Sequence, residues 1–130
     1  MGQPAAKAGD RVVGIDVHIV LPPPSAPPAS LPHPFTGVIA GGVSSDVLIM
    51  GKPAATVGST ATNAPAHVPT APGISFQRPP SNLGTVKQGS ATVTINGKPA
   101  ARAGDPADTC NDPEDIPAGT VVAAGTVMIG

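Results

Sequence analysis

Three short runs along the chain alternate aliphatic residues with polar or exchangeable ones at a period of two. Val47 and Ile49 alternate with Asp46 and Leu48, Val93 and Ile95 with Thr92 and Thr94, and Val127 and Ile129 with Thr126 and Met128. A period of two places one set of side chains on one face, so each run predicts a half-buried β-strand. A single hairpin of this size is marginal in water, and three can bury their aliphatic faces only against one another. The longest uncharged apolar stretches are broken by Gly, Ser and Pro well short of the ~20 residues that a membrane-spanning helix needs.

Each aliphatic run is tied to the same nonapeptide. "GKPAATVGS" occupies 51–59 and "GKPAARAGD" 97–105, while "GQPAAKAGD" stands at 2–10. Two units are complete, 37–59 and 84–105, and a third is split between the front half at 119–130 and the back half at 2–10. The split unit predicts that the chain ends meet and that one domain spanning 1–130 has three quasi-equivalent sectors about an axis. Proline with small residues is poor material for a helix or a central strand, so the nonapeptide reads as a turn, with its alanines suited to a crowded centre. The predicted fold is all-β, a short cone of β-hairpins with pseudo-three-fold symmetry, long Pro-rich loops and adjacent termini.

Composition changes this picture in one respect. With 18 Pro, 16 Gly, two Phe and neither Trp nor Tyr, the chain has few bulky core residues, and a domain so built benefits from a staple. One cysteine cannot form an internal disulfide, which turns attention to a metal. Seven basic against eight acidic residues give a net charge of −1 without a basic cluster, which argues against nucleic acid as a partner. "MGQPAAKAGDRVVG" lacks an apolar segment behind a basic start, so synthesis in the cytoplasm without a cleaved signal peptide is expected.

The loops between sectors carry the remaining chemistry. His18 lies eight residues past Asp10, and His67 eight past Ser59; Cys110 lies five past Asp105, and His33 comes from the long first loop. Equivalent positions in a three-fold object converge on its axis. Three imidazoles and one thiolate, His18, His33, His67 and Cys110, would make a complete tetrahedral zinc shell and fix loops that Pro-rich sequence cannot hold by packing. Their spacing matches no local zinc-finger pattern, and taken singly a histidine is more often a surface or core residue. "PPPSAPPASLPHP" (22–34) reads as a polyproline ligand or as a stiff strap delivering His33. Asp112, Glu114 and Asp115 in "DPEDIP" read as a solvated acidic turn. The sequence contains no P-loop, dinucleotide fingerprint or G-x-S-x-G.

Pro99-Ala100-Ala101-Arg102, with its copies at Pro4–Lys7 and Pro53–Thr56, resembles the PAAR-repeat family of spike-tip proteins in type VI secretion systems and related contractile injection machines. Gln3, Lys7, Thr56 and Ser59 depart from the literal pattern, which favours a turn role over a chemical one for its Arg and Asp. The resemblance implies a structural, non-enzymatic protein, one copy of which caps and sharpens a trimeric VgrG-like β-helical spike. It also implies a structural zinc near the vertex on His18, His33, His67 and Cys110, membrane puncture, effector delivery, and export on the machine out of the cell or into a target cell. Two rivals stand beside it: a small zinc-dependent hydrolase, which a fourth ligand at Cys110 would close to water, and an unrelated zinc-stabilised interaction adaptor.

Overall fold

The computed structural model describes residues 2–24 and 26–130, so Ser25 in the proline-rich segment lies outside the described residues. The strands in chain order are β1 (Gln3–Pro4), β2 (Arg11–Leu21), β3 (Ala29–Gly41), β4 (Leu48–Ile49), β5 (Lys52–Pro53), β6 (Thr60–Asn63), β7 (Ser75–Phe76), β8 (Leu83–Val86), β9 (Thr94–Ile95), β10 (Lys98–Pro99), β11 (Pro106–Thr109), β12 (Ile116–Val122) and β13 (Met128–Ile129). No helix occurs among the described residues.

The repeats build three small antiparallel hairpins, β4–β5, β9–β10 and β1–β13. The first two turn through Met50-Gly51 and Asn96-Gly97, whose φ angles are 51° and 83°, and 53° and 80°. Two successive left-handed residues match the right-handed twist of a tight hairpin. The third hairpin has no turn because its strands come from opposite ends of the chain, with Gln3 opposite Ile129 and Pro4 opposite Met128. Ile49, Ile95 and Ile129 are buried together with Ala5, Ala54 and Ala100, so each hairpin contributes one isoleucine to a shared cluster. Val47 and Val93 pack against it as their period predicts, while Val127 is exposed. The difference has a local cause: the Ser44 and Ser90 hydroxyls clamp the Val47 and Val93 amides at 2.9 Å, and Ala124 occupies that place in the third sector.

The second alanines of the repeats close the axis. Ala6 N–H donates to Ala101 O at 2.9 Å, Ala101 N–H to Ala55 O at 3.0 Å, and Ala55 N–H to Ala6 O at 3.0 Å. All three are fully buried, and this close backbone approach leaves room for a methyl group and little more. The next residues act as turns. Asp10 and Asp105 accept the Lys7 and Arg102 amides at 2.9 and 2.7 Å, and Ser59 Oγ accepts that of Thr56 at 2.9 Å. Serine therefore does the aspartate's work, which is why the departure at Ser59 leaves the geometry unchanged.

Each turn launches one wide antiparallel hairpin, β2–β3, β6–β8 and β11–β12. Their pairing runs β12-β11-β8-β6-β3-β2, and β12 returns to β2 to close a six-stranded barrel. The barrel core stacks on the alanine ring and contains Val12, Phe35, Ile39, Ala61, Val86, Ala107 and Val121. Phe35 fits because glycines face it: a Cβ at Gly37 or Gly84 would lie 2.8 or 3.2 Å from its ring. β3 extends back to Ala29, so residues 29–34 of the proline-rich segment are strand, with Pro32 opposite Val17 and Pro34 opposite Ile15. Proline is tolerated there because β6 pairs with β3 only from Gly37 onward, leaving that edge without a ladder to break.

Candidate metal centre

Beyond Phe35 the inward positions of the barrel become polar. On β2 the alternation that buries Val12 goes on to bury Asp16, His18 and Val20. β3 brings His33 inward two residues before Phe35, the loop after β6 supplies His67, and Cys110 follows β11. The ring centres of His18, His33 and His67 form a nearly equilateral triangle with sides of 5.1, 5.5 and 5.6 Å. Potential donor atoms of Asp16, His18, His67 and Cys110 all lie within 4.8 Å of one another. This buried cluster can hold a metal ion, and its nitrogen, sulfur and oxygen donors suit a borderline divalent metal.

The hydrogen bonds differ sharply among the members. His18 is 1% exposed, and neither Nδ1 nor Nε2 has a hydrogen-bond partner among the described residues; Asp112 Oδ2 stands 3.5 Å from Nδ1. A buried imidazole with both nitrogens idle is costly, and a ligated ion would repair it. His33 uses both nitrogens: Nδ1 donates to Leu31 O at 2.9 Å, and Nε2 accepts the Thr70 amide at 3.1 Å. His67 Nδ1 faces the Asn63 amide nitrogen at 3.2 Å, and Nε2 donates to Asp16 Oδ2 at 2.8 Å. Cys110 Sγ lies 3.3 Å from the same carboxylate oxygen. Phe76 lies edge-on to His18 and tilted against His33, with ring centres 5.6 and 5.3 Å away.

Burial holds the His18 and His33 imidazoles below their ordinary pKa, which favours the neutral, ligating form. Burial, reinforced by Asp16, pushes the Cys110 thiol up to about 11. Without a cation the sulfur therefore stays protonated at neutral pH, and a bound metal supplies the charge that makes it a thiolate.

Period-two reading could have found Asp16, because it lies two residues before His18 on the same strand face. Asp112 is a correction. Glu114 and Asp115 are exposed as a solvated turn requires, but the Asp112 side chain is almost wholly buried. It accepts the Ile19 amide at 2.8 Å and the Arg78 guanidinium at 2.9 Å. Burial raises its pKa, and the Ile19 amide, His18 and Arg78 together outweigh that and hold it low. Arg78 also donates to Asn111 O at 2.5 Å, tying the loop after β7 to the loop after β11. That partnership joins residues distant in sequence and leaves no local signal.

No curated protein matches the chain. Residues 77–130 match the family model described as the PAAR motif, and the matched segment contains Pro99-Ala100-Ala101-Arg102, the second complete repeat and Cys110. By that match residues 77–130 are similar to the PAAR motif.

Proposed function

We propose that this protein is the structural tip of a contractile injection machine, with its three-hairpin base seated on the blunt end of a trimeric VgrG-like spike, one copy per trimer. The observation that carries the reading is the closed ring of Ala6, Ala55 and Ala101, through which one chain presents three equivalent hairpins about an axis. Symmetry matching selects a trimeric partner, since a pseudo-three-fold base repeats its contacts on each subunit. Leu48, Met50 and Met128 on those hairpins are exposed and supply apolar contact area. The PAAR-motif match supports the same assignment. Membrane puncture, delivery of effector cargo and export on the machine follow from a tip position and belong to this proposal.

At the other end, His18, His33, His67 and Cys110 hold a structural zinc. Three imidazoles on one tetrahedral ion, with metal–nitrogen distances of about 2.0–2.1 Å, have ring centres roughly 5 Å apart, which the triangle of 5.1–5.6 Å approaches. Ligation by His33 requires the Thr70 amide to release Nε2, and ligation by His67 requires Nε2 to leave Asp16 or Nδ1 to leave Asn63. A bound zinc supplies folding energy where Pro-rich loops supply little packing. The deciding experiment mixes the purified chain with a trimeric β-helical spike and weighs the complex by native mass spectrometry. One copy per trimer is expected; three copies or none would defeat the cap.

A further inference from the structure

Asp16 is a fully buried carboxylate, and no lysine or arginine among the described residues forms an ion pair with it. Its only ion-pair candidate among the described residues is His67. Oδ1 accepts the Thr109 hydroxyl at 2.5 Å and faces the Asn111 amide nitrogen at 3.3 Å. Oδ2 is turned to the site, where it gathers the His67 Nε2–H and the Cys110 thiol. An anion removed from water without a cationic partner is strongly disfavoured, and this one is aimed at the atoms that surround a candidate metal position. Thr109 is itself fully buried, and Asn111 is held by its Oδ1, which accepts the Val17 amide at 2.6 Å. The carboxylate is thus fixed in place from behind.

We infer that Asp16 is the residue that makes the centre selective for a divalent ion. This rests on the metal site proposed above. A dication with one thiolate, one carboxylate and three neutral imidazoles is electrically neutral, whereas the same ligands without Asp16 leave a buried net charge of +1. For a monovalent soft ion such as Cu(I), which also accepts imidazole and thiolate, the arithmetic reverses: the centre is neutral without Asp16 and carries −1 with it. Asp16 therefore discriminates by charge between two ions that its neighbours would both ligate.

The test is competition of Zn(II) and Cu(I) against chelators of known affinity, without oxygen, for the wild-type protein, Asp16→Asn and Thr109→Val. Asp16→Asn removes the charge at nearly constant volume, and loss of such a buried partner costs about 10–100-fold in Zn(II) affinity. Binding releases the Cys110 proton, so Zn(II) adds a net +1 beside Asp16 and Cu(I) adds none; the loss in Asp16→Asn is expected to fall on Zn(II), with Cu(I) affinity changed by less than about threefold. Thr109→Val removes the hydroxyl that shares the carboxylate's charge and is expected to shift the preference in the opposite direction, toward Zn(II). Equal losses for both ions in Asp16→Asn, no loss at all, or a Thr109→Val shift toward Cu(I) would overturn the inference. A wild-type chain that takes up neither ion would instead defeat the metal site itself.

Discussion

At the scale of single residues, the cluster behind Phe35 makes stability depend on metal and on pH in ways that can be separated. Cys110→Ser, or a chelator on the wild-type protein, is expected to lower the melting temperature by about 10 °C or more, on the basis of roughly 2–4 kcal/mol lost at about 4 °C per kcal/mol. Indifference of the melting temperature to both would contradict a structural ion. In metal-free protein the sign of the pH effect follows from burial. His18 and His33 lie below their ordinary 6.5, so the folded state binds fewer protons than the unfolded one, and stability falls as pH drops below about 6.5. Cys110 is raised from 9.0 to about 11, so stability present below pH 9 is lost as pH rises through that interval. Denaturant titration of metal-free protein is thus expected to show a maximum between about pH 6.5 and 9, and loading with Zn(II) to flatten the acid limb by withholding the imidazoles from protons.

At the scale of elements, tolerance is set by how little space separates the strands. A Cβ at Gly119 would lie 2.7 Å from Thr109 Cγ2 and 2.8 Å from Val12 Cγ1. Gly119→Ala is therefore expected to destabilise by about 1–3 kcal/mol through overpacking, read from denaturant midpoints. The turns differ in kind: Asp105→Ala removes the acceptor of the Arg102 amide and both guanidinium bonds, and is expected to cost about 1–2 kcal/mol. Much of the element plan was legible in the sequence, because the aliphatic period located the three hairpins and the repeats located their turns. His18 and His67 were legible through register, and Asp16 could have been. The strand at 29–34 was not, since its prolines mask a segment that pairs on one edge alone. Nor was the Arg78–Asp112 link, whose partners are joined only by loops that fold against each other.

At the scale of the whole molecule, capping asks the hairpin base and the barrel to be separable in their effects. Leu48→Asp with Met128→Asp alters side chains that are 61% and 55% exposed, so the melting temperature is expected to stay within about 2 °C while capture by a trimeric spike is lost. Retained capture would move the contact surface elsewhere. Cys110→Ser is expected to do the reverse, weakening the vertex while a folded base still binds. The hairpin pairing Gln3 with Ile129 bears on kinetics as well as on form. Both closures of the molecule, the alanine ring with its β1–β13 hairpin and the barrel through β12–β2, join early residues to late ones. Such long loops close slowly, because chain entropy is lost before contacts compensate. During synthesis β1 and β2 therefore wait unpaired on these edges until β13 and β12 have left the ribosome, and protection from aggregation in that interval must come from elsewhere.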